Sequence, residues 1–188
     1  MSRYLKRAGR AALVVCLLIT VALLPTLAYA RTAAEINAGV NAALVKFRSQ
    51  VKGANELMAR ARGVLVFAEV IKAGAGIGGE FGEGALRIGG KTVDYYSFAS
   101  ASIGLQLGVQ RKDIIILFMQ EAALMDFRKS EGWQIGVDGS VVLVEVGAGG
   151  SIDTTKINKP IIGFVVGQKG LMYNLTLEGS KITKLPPK

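Results

Sequence analysis

The sequence predicts an α+β protein in which N-terminal helices pack on a curved, glycine-rich antiparallel sheet or partial barrel. Three observations lead to this class. A helical apolar stripe is confined to the start of the chain, eight of the eighteen residues 73–90 are glycine, and short apolar or alternating runs fill the remainder to 185. Glycine lowers helix stability by about 1 kcal/mol per residue relative to alanine, whereas bends and close strand packing accept it.

Residues 1–30 have the order of a secretory signal peptide. Four basic residues and no acid precede an uncharged apolar run at 11–24, and Ala28-Tyr29-Ala30 follows. Because this run is shorter than the roughly 20 residues of a spanning helix, we predict cleavage after Ala30, with a retained membrane anchor as the alternative. The expected location is then the periplasm or cell envelope. The mature chain would be a single domain over 31–188, helical at 32–61 and sheet-rich at 63–185.

The first element of this domain is an amphipathic helix. Thr32-Ala33-Ala34-Glu35 is a capping box, in which the threonine and the glutamate each satisfy a free backbone N–H of the first turn. The apolar residues that follow are spaced by four, four, three and four, as one helical stripe requires: Ile36, Val40, Leu44, Phe47 and Val51. Gly53 interrupts the helix, and a second, shorter helix is predicted at 55–61. The stripe favours packing on the core over lying on a membrane surface.

The remaining segments predict about eight strands and one more helix. Gly89-Gly90 and Gly167–Gly170 are turn signals between strands. The alternation of Trp133, Ile135 and Val137 predicts that these three share one face of a strand that ends near an Asp138-Gly139 turn. The strand segments are 64–67, part of 73–90, 92–98, 100–109, 114–119, 133–147 with its turn, 161–166 and 171–177, with 181–185 as a last segment that pairs with them and a short helix at 121–129.

The composition excludes several classes of enzyme. The chain has no histidine, and its one cysteine, Cys16, lies in the predicted signal. A zinc enzyme, a Ser-His-Asp hydrolase and a Cys-His protease are therefore disfavoured. Glu80 and Glu83 do not form an acid–base pair in this prediction, because strand positions three apart face opposite sides. We expect neither catalysis nor a cofactor.

Two glycine motifs resemble phosphate-binding loops without the context those loops need. Gly74–Gly79 fits G-x-G-x-x-G, but Glu80 follows where a helix should begin, and a carboxylate would face the phosphates. Gly84–Thr92 resembles a P-loop but has five residues, instead of four, before Gly-Lys-Thr. We therefore expect neither nucleotide nor nucleic acid as a partner.

Positive charge is concentrated at the two ends of the predicted domain. Residues 46–72 carry +4, residues 73–153 carry −4 and residues 154–188 carry +5. A basic face would attract anionic lipid headgroups or another polyanion. From charge alone, an ordinary solvated surface is the simpler interpretation.

Several segments together resemble the SYLF lipid-binding domain family. The match begins with Arg62–Phe67 and continues from Lys72-Ala73-Gly74 to Gly84-Ala85-Leu86. Overall it covers about 36–185. Further matching segments are Tyr95-Tyr96-Ser97, Ser102–Gln106, Gly108-Val109-Gln110, Trp133, Gly136-Val137-Asp138, Lys169-Gly170-Leu171 and Leu177-Glu178-Gly179.

This resemblance implies membrane-lipid binding without catalysis. Eukaryotic members bind phosphoinositides, and yeast endocytic-patch members also bind and bundle actin. The family's lipid-binding surface is attributed to its N-terminal region, and each cation near an anionic surface contributes about 1 kcal/mol. The corresponding lipid-binding candidates in this chain are Lys46, Arg48, Lys52, Arg60, Arg62 and Lys72.

Two other functions remain open at the level of sequence. The first is a structural or protein-interaction domain of the envelope, for which actin binding in the resembled family is a precedent. The second is a strand-built membrane protein, suggested by the alternating glycine-rich strands. The capped N-terminal helix and the absence of clear paired aromatic girdles in the sequence disfavour the second.

Overall fold

Two long strands make up most of the sheet in the computed structural model. The structure describes residues 31–146, 148–152, 155–169 and 177–188, and omits the side chains at 75–76, 103–107 and 148. The predicted signal peptide and residues 171–176 of a predicted strand lie outside the described residues. Residues 31–188 form one compact unit, which contains the helices, the sheet and the apolar core described below.

The N-terminal helices confirm their predictions. Helix α1 spans Ala33–Gln50 and α2 spans Ala54–Arg60. Both halves of the capping box are present: the Glu35 backbone N–H donates to Thr32 Oγ1 (3.3 Å), and the Thr32 N–H donates to Glu35 Oε2 (2.7 Å). The Thr32 backbone N–H and the Thr32 hydroxyl, which donates to the same Oε2 at 2.8 Å, lower the pKa of Glu35 because they stabilise its charged form. All five residues of the predicted apolar stripe are buried.

The predicted series of short strands between 64 and 119 is wrong in its divisions. Two strands replace it, β1 at Gly63–Ile88 and β2 at Lys91–Phe118, paired antiparallel along their length. Glycines that were expected to end strands lie inside β1, where register shifts bend the ladder without ending it. The predicted Gly89-Gly90 turn is confirmed: both residues have positive φ (57° and 80°), as a two-residue type I′ hairpin turn requires.

The ribbon formed by β1 and β2 is folded double. Gly82 lies against Val70, and a Cβ added there would be 2.8 Å from Val70 Cγ2. Closer to the point where β1 turns back on itself, a Cβ on Gly74 would be 2.5 Å from Gly78 Cα. Glycine is therefore required where the two halves of β1 approach each other. We call residues 70–81 of β1, with the segment 99–112 that pairs with them, the bend.

The rest of the sheet is built around β2. The remaining elements are α3 (Glu121–Lys129), β3 (Gly132–Gln134), β4 (Val142–Leu143), a short 3-10 helix (Ala148–Gly150), β5 (Ile161–Lys169) and β6 (Lys181–Lys184). The strand order is β3-β6-β2-β5-β4, with β1 also paired to β2, and among these described strands only β4 and β5 pair in parallel. The predicted class, helices on a curved and mostly antiparallel sheet, is confirmed.

One predicted strand face is wrong beyond Ile135. Trp133 and Ile135 are buried, but Val137 is 73% exposed. Gly136, with φ of 90°, starts a turn that ends the alternation. Periodicity therefore holds only up to the residue where the backbone turns.

Apolar residues pack on both faces of the sheet. On one face, α1 packs on strand residues such as Ile115, and the rings of Phe47 and Phe164 are 4.9 Å apart. On the other, Phe127 of α3 lies 5.0 Å from the ring of Tyr96. Burial, with a smaller effect of Asp94, raises the pKa of Tyr96 to about 12. These two clusters hold the helices against the doubled ribbon.

Candidate functional site

Four of the six predicted lipid-binding cations are exposed where the helices meet the start of β1. They are Arg48, Lys52, Arg60 and Arg62. Two backbone hydrogen bonds fix this region: Arg62 N–H donates to the Phe118 carbonyl (2.8 Å), and Lys52 N–H donates to the Gly150 carbonyl (2.9 Å). Within the described ranges, none of the four cations has an acidic partner within 4.0 Å.

A cleft of about 480 Å³ lies between the helices and the β1–β2 turn. Arg48 and Asn55 line it from the helical side, and Arg48 Nε donates to Asn55 Oδ1 at 3.2 Å. Arg87 lines it from β1, immediately before the Gly89-Gly90 turn. Two guanidinium groups and an amide thus face one cleft, an arrangement that suits an anion.

Arg87 is the member of this group that the sequence prediction missed. Its Nε is buried and has no hydrogen-bond partner among the described residues. Burial lowers the pKa of Arg87, and the positive charge of Arg48 lowers it further, because both disfavour the charged guanidinium. An anion in the cleft would oppose both effects. We call Arg48, Lys52, Arg60, Arg62 and Arg87 the basic end.

No local signal marks Arg87 in the sequence. It belongs to the segment 73–153, whose charge is negative overall. Only the doubling of the ribbon brings its side chain to the cleft that Arg48 lines. The predicted Gly89-Gly90 turn places Arg87 close to the end of the hairpin. It does not show that this end of the hairpin lies against the helices that carry Arg48.

Lys46 is not part of the basic end. Its Nζ lies 2.6 Å from Oδ2 of Asp113, a carboxylate that is 2% exposed. The other oxygen of Asp113 accepts a hydrogen bond from the Glu69 backbone N–H (2.8 Å). Lys46 therefore compensates a buried charge on the sheet.

Lys72 lies inside the doubled ribbon. Its Nζ is 3.1 Å from Glu80 Oε1, and Lys112 Nζ is 2.8 Å from Glu80 Oε2. All three side chains are at most 5% exposed. The second contact is an ion pair without hydrogen-bond geometry. We call these three residues the buried ion cluster; in this position Lys72 has no access to a surface ligand.

Glu80 and Glu83 have separate partners. Glu80 is held by the two lysines of the buried ion cluster, whereas Glu83 accepts from the Arg31 backbone N–H (3.1 Å) and from Lys188 Nζ (3.1 Å). The two carboxylates are thus committed to different ion pairs.

Neither a metal cluster nor a membrane-spanning helix is present in the described ranges. No group of three or more His, Cys, Asp or Glu residues there could hold a metal ion. In the same residues, no helix is both long and apolar enough to cross a bilayer.

A doubled antiparallel ribbon, covered by helices and carrying a cationic cleft at one end, thus characterises the described domain. Residues 99–186 match the family model of Ysc84, described as "Las17-binding protein actin regulator". The match confirms the predicted resemblance to the SYLF family over this part of the chain. A comparison with curated proteins found no match.

The family match and the basic end occupy different parts of the sequence. The match begins at residue 99, within β2, and extends past β6. All five residues of the basic end precede it. The family match therefore does not bear on these five residues, whose chemistry follows from their geometry and charge.

Proposed function

We propose that this protein is a non-catalytic lipid-binding domain of the cell envelope that holds anionic membrane lipids at its basic end. The observation that carries the proposal is the cleft that Arg48 and Arg87 both line, since no acidic side chain is among its described lining residues. A lipid phosphate or carboxylate would accept hydrogen bonds from the two guanidinium groups and relieve their repulsion. The family match supports the proposal, since the resembled SYLF domains bind lipids. The envelope location depends on the signal peptide predicted at residues 1–30.

Charge would supply most of the affinity at this end. Each cation near an anionic surface contributes about 1 kcal/mol. The attraction acts over a Debye length of about 10 Å at 0.1 M salt and about 3 Å at 1 M. Binding through the basic end should therefore be reversible and sensitive to salt.

The proposal is tested by vesicle flotation with residues 31–188. The variant Arg48→Glu with Arg60→Glu reverses two exposed charges that have no acidic partner among the described residues. Losing about 2 kcal/mol or more corresponds to binding weaker by about 30-fold or more on vesicles rich in phosphatidylglycerol. Vesicles containing a phosphoinositide, and purely zwitterionic vesicles, test headgroup preference.

The matched control reverses two lysines outside the basic end, Lys129→Glu with Lys156→Glu. It changes the net charge by the same amount, so a general effect of charge would weaken both variants equally. Equal weakening, or unchanged binding by the Arg48/Arg60 variant, would contradict the basic end as the lipid site. Circular dichroism of both variants checks that the fold is retained.

A second candidate is binding to another protein, as the description of the matched family indicates for its members. In that case residues 31–188 would not bind vesicles of any composition. Retention of a defined partner that is lost with Arg48→Glu and Arg60→Glu would then assign the basic end to that partner.

A further inference from the structure

Three large apolar side chains of the bend are exposed. Ile77 is 72% exposed, Val109 is 62% exposed and Phe81 is 56% exposed. Segments 73–79 and 99–110 contain no Asp, Glu, Lys or Arg. Large exposed apolar side chains along stretches without charge indicate an interaction surface.

Strand alternation keeps these side chains outward. Along this part of β1, Glu80 points into the buried ion cluster, so its neighbours Gly79 and Phe81 point outward. On the other half of β1, Lys72 points inward, and Ala73 and its partner Val109 point outward. Because charges and glycine contacts fill the inner face, the outer apolar groups have no internal site to occupy.

Exposed cations flank the apolar surface on both sides. Directly paired residues of an antiparallel sheet share a face. Ile71 pairs with Arg111, which pairs with Lys169, and these two cations are exposed on that face. On the other half of the ribbon, Phe81 pairs with Ala99, which pairs with the exposed Lys181.

We infer that the bend is a membrane-inserting tip, distinct from the basic end, and that its partner is an anionic bilayer. Apolar groups at the end of a projection, followed by cations, match the layers of a bilayer surface, in which anionic headgroups lie above acyl chains. Ile77, Phe81 and Val109 would enter the acyl boundary, while Arg111, Lys169 and Lys181 would contact headgroups. Charge complementarity selects this partner over an apolar protein groove.

The bend and the basic end lie at opposite ends of the ribbon. About eleven residues of β1 separate Ile77 from Ile88. At roughly 3.3 Å per residue, this is about 35 Å. Insertion at the bend is therefore a contact separate from the proposed headgroup cleft.

The test places an environment-sensitive fluorophore at Ile77→Cys in residues 31–188, which contain no other cysteine. On vesicles rich in phosphatidylglycerol we expect a blue shift, at least a twofold rise in emission, and quenching by spin labels on the acyl chains. The matched control is Val137→Cys, because Val137 is 73% exposed, almost the same as Ile77, but lies in the turn after β3. The label at 137 should not respond.

A second measurement uses unlabelled protein. Ile77→Ser with Phe81→Ser should weaken vesicle binding at least tenfold, and the loss should persist in 0.5 M salt, where charge attraction is screened. Val45→Ser with Val137→Ser removes two other exposed apolar side chains and should bind like the wild type.

The outcomes separate this inference from the basic-end proposal. Vesicle binding without a response at residue 77 would overturn the inserting tip and leave the basic end intact. A response that survives Arg48→Glu with Arg60→Glu, with unchanged affinity, would support the tip and contradict the basic end. A response that appears without vesicles and grows with protein concentration would assign the bend to a second copy of the chain and overturn the inference.

Discussion

The basic end and the bend occur on the same ribbon but expose opposite chemistry. At the basic end, Arg48 and Arg87 face a cleft, and neither has an acidic partner among the described residues. At the bend, the cations Lys72 and Lys112 are buried around Glu80, and the exposed groups are apolar. A cation's neighbours across the fold thus decide whether it can serve binding or only structure.

The two regions should also respond differently to solution conditions. Attraction of charged lipids to the basic end decreases as salt shortens the Debye length. Burial of Ile77 and Phe81 in a bilayer depends on apolar area, which moderate salt changes little. Salt dependence is therefore the simplest way to distinguish contributions from the two ends.

The largest expected effect comes from removing the central charge of the buried ion cluster. Glu80→Gln leaves Lys72 and Lys112 buried without a counter-charge and should lower the free energy of unfolding by about 3–5 kcal/mol. Urea denaturation measures this change. Glu56→Gln, at an exposed position on α2, is the control and should change stability by less than about 0.5 kcal/mol.

A small change for Glu80→Gln would mean that the cluster does not hold the inner face of the bend. The contrast between buried cations at the bend and available cations at the basic end would then fail. Replacing all three residues by apolar ones, Lys72→Met, Glu80→Leu and Lys112→Met, should recover much of the lost stability, because no buried charge remains.

The next effect concerns the doubling of the ribbon that separates the two ends. Gly84→Ala places a Cβ against the Val66 carbonyl oxygen and 2.7 Å from Phe67 Cδ1. Such overpacking should destabilise the fold by about 1–3 kcal/mol, measured by thermal or urea unfolding.

Gly79→Ala tests the same substitution on the outer face of the same strand. Its Cβ would meet nothing closer than the Ser100 carbonyl oxygen at 3.8 Å. We expect a change within about 0.5 kcal/mol. Equal effects at positions 79 and 84 would show that general strand propensity, and not close packing of the two halves, requires glycine.

Apart from the control variants, the smallest expected effect on stability is a gain at the basic end. Arg87→Met removes a buried donor without a partner in the described part of the chain, together with repulsion from Arg48. The free energy of unfolding should rise by about 1 kcal/mol. Binding to anionic vesicles should fall by about fivefold, since one cation near the surface contributes about 1 kcal/mol.

If Arg87→Met raises the free energy of unfolding but weakens vesicle binding, Arg87 contributes to ligand binding at a cost to stability. Lys91→Met, which removes an exposed charge just after the same turn, should leave stability unchanged. A loss of stability in Arg87→Met would instead make Arg87 a structural residue and weaken the cleft as the lipid site.

Local patterns in the sequence predicted the elements whose cause is local. The Thr32–Glu35 box, the buried stripe from Ile36 to Val51, and the Gly89-Gly90 turn all depend on residues within a few positions of each other. Strand lengths were mispredicted because a glycine that ends a strand and one that permits a bend look alike in sequence. Which of the two occurs depends on whether a partner strand continues the ladder, as β2 does for β1.

The candidate site was predictable only in part for the same reason. Arg48, Lys52, Arg60 and Arg62 lie on consecutive surface segments, so their common charge was visible in sequence. Lys72 belongs to the same charged stretch, yet strand alternation turns it toward Glu80. Arg87 was missed because its neighbour Arg48 is distant along the chain.

By itself, the sequence determined the capped helix, the hairpin turn, the glycine content that allows β1 to approach itself, and the uncharged stretches of the bend. Only the tertiary structure decided which cations remain on the surface and which are buried as ion pairs. The physical reason is that helix caps and turns depend on short-range backbone hydrogen bonds and dihedral angles. The exposure of a charge depends on what long-range strand pairing and the doubling of the ribbon place opposite it.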